Sequence, residues 1–113
     1  MEETKLKIYL CKQGERAEFT EAENELEALQ NIVGGYIEVI PLTSDLVLIC
    51  NEEGKLKGLK PNRWITGDVI HGDFFICGTS GDEFCDVPSK YNSVLRGIYE
   101  EPQFTKTGEP DEM

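Results

Sequence analysis

The residues of this 113-residue chain that could do chemistry are concentrated in one stretch. Lys55, Lys57, Lys60 and Arg63 stand within 55–63, with no Asp or Glu between them. Such a cluster makes a focused positive patch, which attracts an anion even against a negative net field. Asn62 and Arg63 follow Pro61. A guanidinium fork beside an amide suits phosphate or carboxylate. Trp64 offers a face on which a base or sugar stacks. Asn51, at the mouth of an apolar run, adds a hydrogen-bonding amide, and Tyr36, after Gly34-Gly35, adds a second ring. The expected ligand-binding set is therefore Lys57, Lys60, Asn62, Arg63, Trp64, Asn51 and Tyr36, facing a phosphate-bearing, nucleotide-like small molecule. The same residues have plainer uses. The lysines could pair with neighbouring acids on a solvated hairpin, Trp64 could anchor the core, Asn51 could close its own turn, and Gly34 could cap a helix.

Other chemistries find less support. The cysteines are Cys11, Cys50, Cys77 and Cys85, and three sit in the apolar runs YLC, LVLIC and FFIC. Free cysteine packs as a small hydrophobe, so core filling is expected. Neither a CxxC pair nor a second histidine accompanies His71, so no metal site is expected. His71 precedes Gly72 and is expected in a turn. No nucleophile–base motif, P-loop, HExxH or GxGxxG pattern occurs, so neither catalytic residues nor a cofactor are expected, and the chain is taken not to be an enzyme.

The elements that must position these residues follow from periodicity. Residues 4–11 alternate, with Leu6, Ile8 and Leu10 against Lys5, Lys7 and Tyr9, which predicts a strand. Residues 16–20 return as its hairpin partner at a sheet edge. In 24–33, Leu26, Leu29, Ile32 and Val33 keep helical spacing. Asn24 with Glu27 suggests a capping box, and Gly34 a left-handed stop. Strands are expected at 36–40, ending at Pro41, and at 46–50, a continuously apolar central strand. Gly54 would turn the chain into a third, lysine-bearing strand at 55–60, broken by Pro61-Asn62. Residues 69–70 and 73–78 supply the last strands, 79–84 a loop, and 88–99 a short C-terminal helix. Phe74 and Phe75 would face opposite sides of the sheet, one of them toward a partner subunit. The fold class is α+β: a mostly antiparallel sheet of short strands with one helix packed on it and a short C-terminal helix.

Charge bounds the function. Eleven bases against 22 acids give a net charge of −11, which excludes general nucleic-acid binding. Residues 13–27 hold six acids and one base, and 100–113 hold five acids and one base. A single domain is expected at 1–99, and residues 100–113 are expected as a disordered acidic tail. No apolar run is long enough to span a membrane, and Met1–Thr4 lack the plan of a signal peptide, so a cytoplasmic location is expected.

Three stretches carry a resemblance: LEALQNIVGGYIEVIPL at 26–42, LVLICNEEGKLKGLKPNRW at 46–64 and VIHGDFFICG at 69–78. Together they resemble a domain-of-unknown-function family, number 3846, found mainly in bacteriophages, prophages and mobile elements. The likeness covers roughly residues 4–80 and departs from the family at Trp64–Asp68, where a longer insert often stands. It implies a phage or mobile-element origin and no catalytic residues. With the basic cluster, it suggests a small homo-oligomeric protein that sequesters a nucleotide-like molecule, such as a host immune signal, to counter host defence. The alternative is an acidic inhibitor that binds a host defence protein directly by imitating nucleic acid, of the anti-CRISPR or anti-restriction type. Its residues would be the acids of 13–27 and of the C-terminal segment.

Overall fold

A computed structural model describes residues 5–111. Its elements are β1 (Lys5–Cys11), β2 (Glu18–Glu23), α1 (Leu26–Val33), β3 (Ile37–Thr43), β4 (Leu46–Asn51), β5 (Pro61–Ile65), β6 (Asp68–His71), β7 (Phe74–Ser80), β8 (Glu83–Cys85) and α2 (Asn92–Tyr99). The main sheet runs β2-β1-β7-β4-β3, with β8 also paired to β7, while β5 and β6 form a separate hairpin. Every pairing is antiparallel. The α+β class expected from the sequence is the class observed.

Residues paired across strands share a face. Leu10, Phe75 and Ile49 are paired in register, and so are Tyr9, Ile76 and Leu48. The first set lies on the face carrying Asn51, whose side chain reaches α1. The second lies on the face of Cys11, toward β5 and α2. Both faces are therefore covered, which is why β4 is buried along its whole length. Phe74 and Phe75 are each fully buried within one chain. Neither is left for a partner subunit, because the β5–β6 hairpin and α2 close the face that the sequence left open.

Local departures have local causes. β3 continues through Pro41 to Thr43. The Tyr36 carbonyl accepts from Glu52 N–H. By the two-residue alternation of an antiparallel ladder, Pro41 then turns its missing N–H toward the free edge, where no bond is lost. The helix begins at Leu26 after Glu25, without a side-chain cap bond, so the capping box at Asn24 does not form. Gly34 does close it, at φ 80°. Residues 55–60 are not a strand. Lys57 N–H bonds to Glu53 O and Leu59 N–H to Gly54 O, so the run coils as consecutive turns. Gly54 is required by close approach rather than positive φ, since a Cβ there would lie 2.6 Å from the His71 carbonyl oxygen. The strand instead starts at Pro61, the first residue of a two-stranded hairpin, where proline is tolerated.

Residues 100–111 do not trail as a tail. Phe104 is buried, Asp111 N–H bonds to Gln103 O, and Thr105 N–H bonds to Glu109 O. Gln13 Nε2 donates to Thr105 O at 2.7 Å, which docks the turn beside β1. One aromatic side chain and a closed set of backbone bonds hold a segment whose composition alone reads as disordered. No helix among the described residues is long and apolar enough to cross a membrane.

Candidate functional site

The structure divides the seven expected residues into three groups. Asn62 and Arg63 are fully buried and face inward from β5. Asn62 Nδ2 donates to Cys11 O at 2.9 Å and to Gly72 O at 2.8 Å. Its Oδ1 accepts from Arg63 Nη1 at 2.7 Å. Arg63 Nε donates to Tyr99 O at 3.0 Å, and Nη2 to Glu15 O at 2.8 Å. The pair is a clasp that ties the end of β1, the β1–β2 turn, the β6–β7 turn and the end of α2. It offers no fork to a ligand, which corrects the expectation for both residues. Burial lowers the Arg63 pKa from its ordinary value. The same environment pushes the Cys11 thiol up to about 12 and the Tyr9 phenol up to about 12, burial being the first cause in each case.

Trp64 points the opposite way and is 57% exposed, so it does not anchor the core. It lines neither of the depressions that hold the lysines. The stacking role expected beside Lys57 and Lys60 is therefore not supported by its position. Ile65, its neighbour, is the buried residue of the two.

The remaining four residues meet at the C-terminal end of α1. Asn51 is buried there, donating through Nδ2 to Val33 O at 3.1 Å and accepting from Glu53 N–H at 2.7 Å. It thus closes its own turn and caps a helix carbonyl. Gly35 lets it do so, because a Cβ at that position would sit 2.9 Å from Asn51 Nδ2. Lys57 and Lys60 flank a depression of about 390 Å³ with Asn31, Gly34, Gln13 and Asp73. A second depression of about 450 Å³ shares Lys57 and Gly34 with it and adds Gln30, Tyr36 and Glu53. Tyr36 is 71% exposed beside it.

The basic cluster is thus taken apart by the fold. Lys55 pairs with Asp68 at 2.6 Å. Lys57 reaches Glu53 only at 3.7 Å. Lys60 makes no ion pair among the described residues, and Arg63 is inside. Two cations remain for an anion, with amides from Gln13, Gln30 and Asn31 and carboxylates from Glu53 and Asp73 around them. The amides and carboxylates were not foreseen. Only the Glu53–Lys57 spacing hinted that one of them would join the lysines.

His71 is a strand residue whose Nδ1 donates to Leu59 O at 2.8 Å, and this fixes the end of the 55–60 coil. All four cysteines are unpaired; Cys11, Cys50 and Cys77 are buried. Burial pushes Cys77 up to about 12 and Cys50 up to about 11. These thiols are core packing, not nucleophiles poised for reaction.

No curated protein and no solved structure matches the chain. A sequence profile does match, over residues 6–97, and so reaches well past the stretch up to residue 80 that carried the resemblance. It takes in β8 and most of α2. The profile is that of the domain of unknown function 3846, and with most of its length matched the chain belongs to that family.

Proposed function

We propose that the protein is a binding protein, not an enzyme, which takes a phosphate-bearing, nucleotide-like small molecule at the end of α1. The observation that carries this reading is the convergence of Lys57 and Lys60 on one depression, with Lys60 unpaired among the described residues. The two ammonium groups hold the phosphate. Tyr36, exposed alongside, stacks the base. Glu53, Asp73, the amides of Gln30 and Asn31 and the side-chain carbonyl of Gln13, whose Nε2 is held by Pro61 O and Thr105 O, suit sugar hydroxyls, which donate to carboxylates and exchange bonds with amides. This mixture fits a nucleotide better than a bare phosphate. The cellular role we propose is sequestration of a host immune signal, which supposes the phage or mobile-element origin that the family resemblance implies. The test is native mass spectrometry of protein purified from the cells that make it, followed by denaturation and analysis of the released small molecules. A nucleotide-like mass released from the protein supports the reading. Protein that emerges empty and also binds no cyclic or ADP-ribose-type nucleotide in calorimetry refutes it.

A second reading is favoured by β2. It is an edge strand on which Glu21 and Glu23 are exposed on one face, across from Lys7 and Lys5, and Glu18 on the other, and exposed Glu25 and Glu27 extend the stripe beyond Glu23. Such a stripe fits the basic groove of a nucleic-acid-binding host protein. A partner pulled down from host lysate and lost at moderate salt supports this second reading.

A further inference from the structure

The outward side of α2 is apolar where an isolated domain has no need of it. Residues step by about 100° around a helix. Leu95 and Tyr99 turn inward and are buried. The opposite stripe of the helix runs Ser93, Val94, Gly97 and Ile98, flanked by Lys90 in the 3-10 turn before it, paired with Asp45, and by Glu101 after it, paired with Arg16. Val94 is 54% exposed and Ile98 is 53% exposed. A Cβ at Gly97 would meet nothing within 4 Å among the described residues, and its φ is not in the left-handed region. Neither packing nor backbone within this chain asks for glycine there, although it costs about 1 kcal/mol relative to alanine. Trp64 continues the patch. Gln103 Oε1 accepts from Trp64 N–H at 2.8 Å, and its Nε2 donates to Ile98 O at 3.4 Å, so one side chain spans from β5 to the end of α2.

We infer that this face binds a second copy of the chain, with the two α2 helices antiparallel across a two-fold axis. With the axis between Leu95 and Arg96, Val94 of one copy meets Gly97 of the other, and Ile98 meets Ser93. Each apolar side chain sits over a small one. The same operation brings Lys90 near Glu101 of the other copy at both ends, where each exposed side chain can exchange its partner in the chain, Asp45 or Arg16, for the opposite charge of the other copy. That matters for a chain of net charge −11, whose copies otherwise repel. The flanks of the stripe carry one base and one acid. An eight-residue helix is about 12 Å long. Stable interfaces bury about 800 Å² per partner. The helix therefore needs Trp64 beside it, and the contact belongs at the weak end, forming at tens of micromolar. It lies across the sheet from α1, so each copy keeps its own Lys57–Lys60 depression.

Sedimentation equilibrium on the full chain, from about 1 to about 500 µM, tests this. The expected mass rises from 12.7 kDa toward twice that value, and Trp64 emission shifts to shorter wavelength over the same range. Val94→Glu and Ile98→Glu each weaken association by roughly tenfold or more, with melting temperature unchanged because both positions are exposed. Lys90→Glu and Glu101→Lys each weaken it, and K90E/E101K restores it. The internal pairs Lys90–Asp45 and Arg16–Glu101 stay broken in that double variant, so recovery reports the contact between copies. A mass of one chain throughout overturns the inference. So does a dimer indifferent to Val94→Glu, or a double charge reversal that associates no better than either single one.

Discussion

Replacing Arg63 should unfold much of the domain's margin of stability, and the size of the loss separates a clasp from a ligand fork. The guanidinium makes three bonds, to Asn62 Oδ1, Tyr99 O and Glu15 O, from a side chain that is 0% exposed. Hydrogen bonds to a charged group contribute about 1.5–3 kcal/mol each. Burying the cation offsets part of that, since desolvation costs several kcal/mol. Removing one partner of a buried charged network typically costs about 3–5 kcal/mol. Against a total of about 5–15 kcal/mol for a domain, Arg63→Ala should lower the melting temperature by more than about 10 °C. Arg63→Lys is the sharper probe. Lysine brings a more strongly hydrated charge, and its three donors share one nitrogen that cannot reach the three acceptors that Nε, Nη1 and Nη2 of arginine reach separately. It should therefore destabilise as much as alanine or more. For a surface residue holding phosphate, lysine would be mild. Urea unfolding followed by far-UV circular dichroism gives both numbers. An Arg63→Lys protein within about 1 kcal/mol of wild type would refute the clasp.

Asp45 accepts from Tyr91 Oη and Thr43 Oγ1 and pairs with Lys90, which holds its pKa down at about 2 from the ordinary 3.8. A depressed carboxylate stabilises the fold above its unfolded pKa, and that contribution fades as pH falls from about 4 toward 2. Asp45→Asn should flatten the fall in melting temperature over that interval, and an unchanged pH profile would count against it. Ellman's reagent on the folded protein should find at most one fast thiol, half-buried Cys85, and all four after denaturation; three fast thiols in the native state would contradict the core-packing assignment. Thr66 holds φ 41° beside Gly67 at 86° in the β5–β6 turn. Left-handed backbone costs a non-glycine residue about 1–2 kcal/mol. Thr66→Gly or Thr66→Asn should raise the melting temperature by a few degrees, and a fall would show that Thr66 contributes contacts that outweigh the strain.

Most of the fold was legible because its signals are local. The alternation of Leu6, Ile8 and Leu10, the helical spacing ending at Gly34, and the unbroken LVLIC run each depend on neighbours in the chain. What misled was long-range. Asn62 and Arg63 follow three lysines and looked solvent-facing, yet their partners are carbonyls at Cys11, Glu15, Gly72 and Tyr99. One local signal did exist. With Ile65 inward, the period of two in a strand puts Arg63 on the same side and Trp64 on the other. The 55–60 run hid its turns for a related reason: KLKGLK alternates like a strand, but Gly54 packed on His71 forces a coil. The lysine depression was half visible, since Lys57 and Lys60, with Tyr36 at the adjoining one, were named while Gln13 and Asn31 come from elements distant in sequence. Phe104 shows the limit of composition, which averages away a single buried ring.

The central claim is that Lys57 and Lys60 bind a phosphate. Isothermal titration with a panel of cyclic and ADP-ribose-type nucleotides, on wild type and K57A/K60A, tests it most directly. The account predicts micromolar binding of at least one nucleotide, one per chain. It also predicts a loss of roughly tenfold per lysine removed, from charge-assisted bonds of about 1.5 kcal/mol each. Melting temperature should hold, since both lysines are exposed. Binding that is equally tight in K57A/K60A, or no heat with any nucleotide at about 100 µM protein, would contradict it.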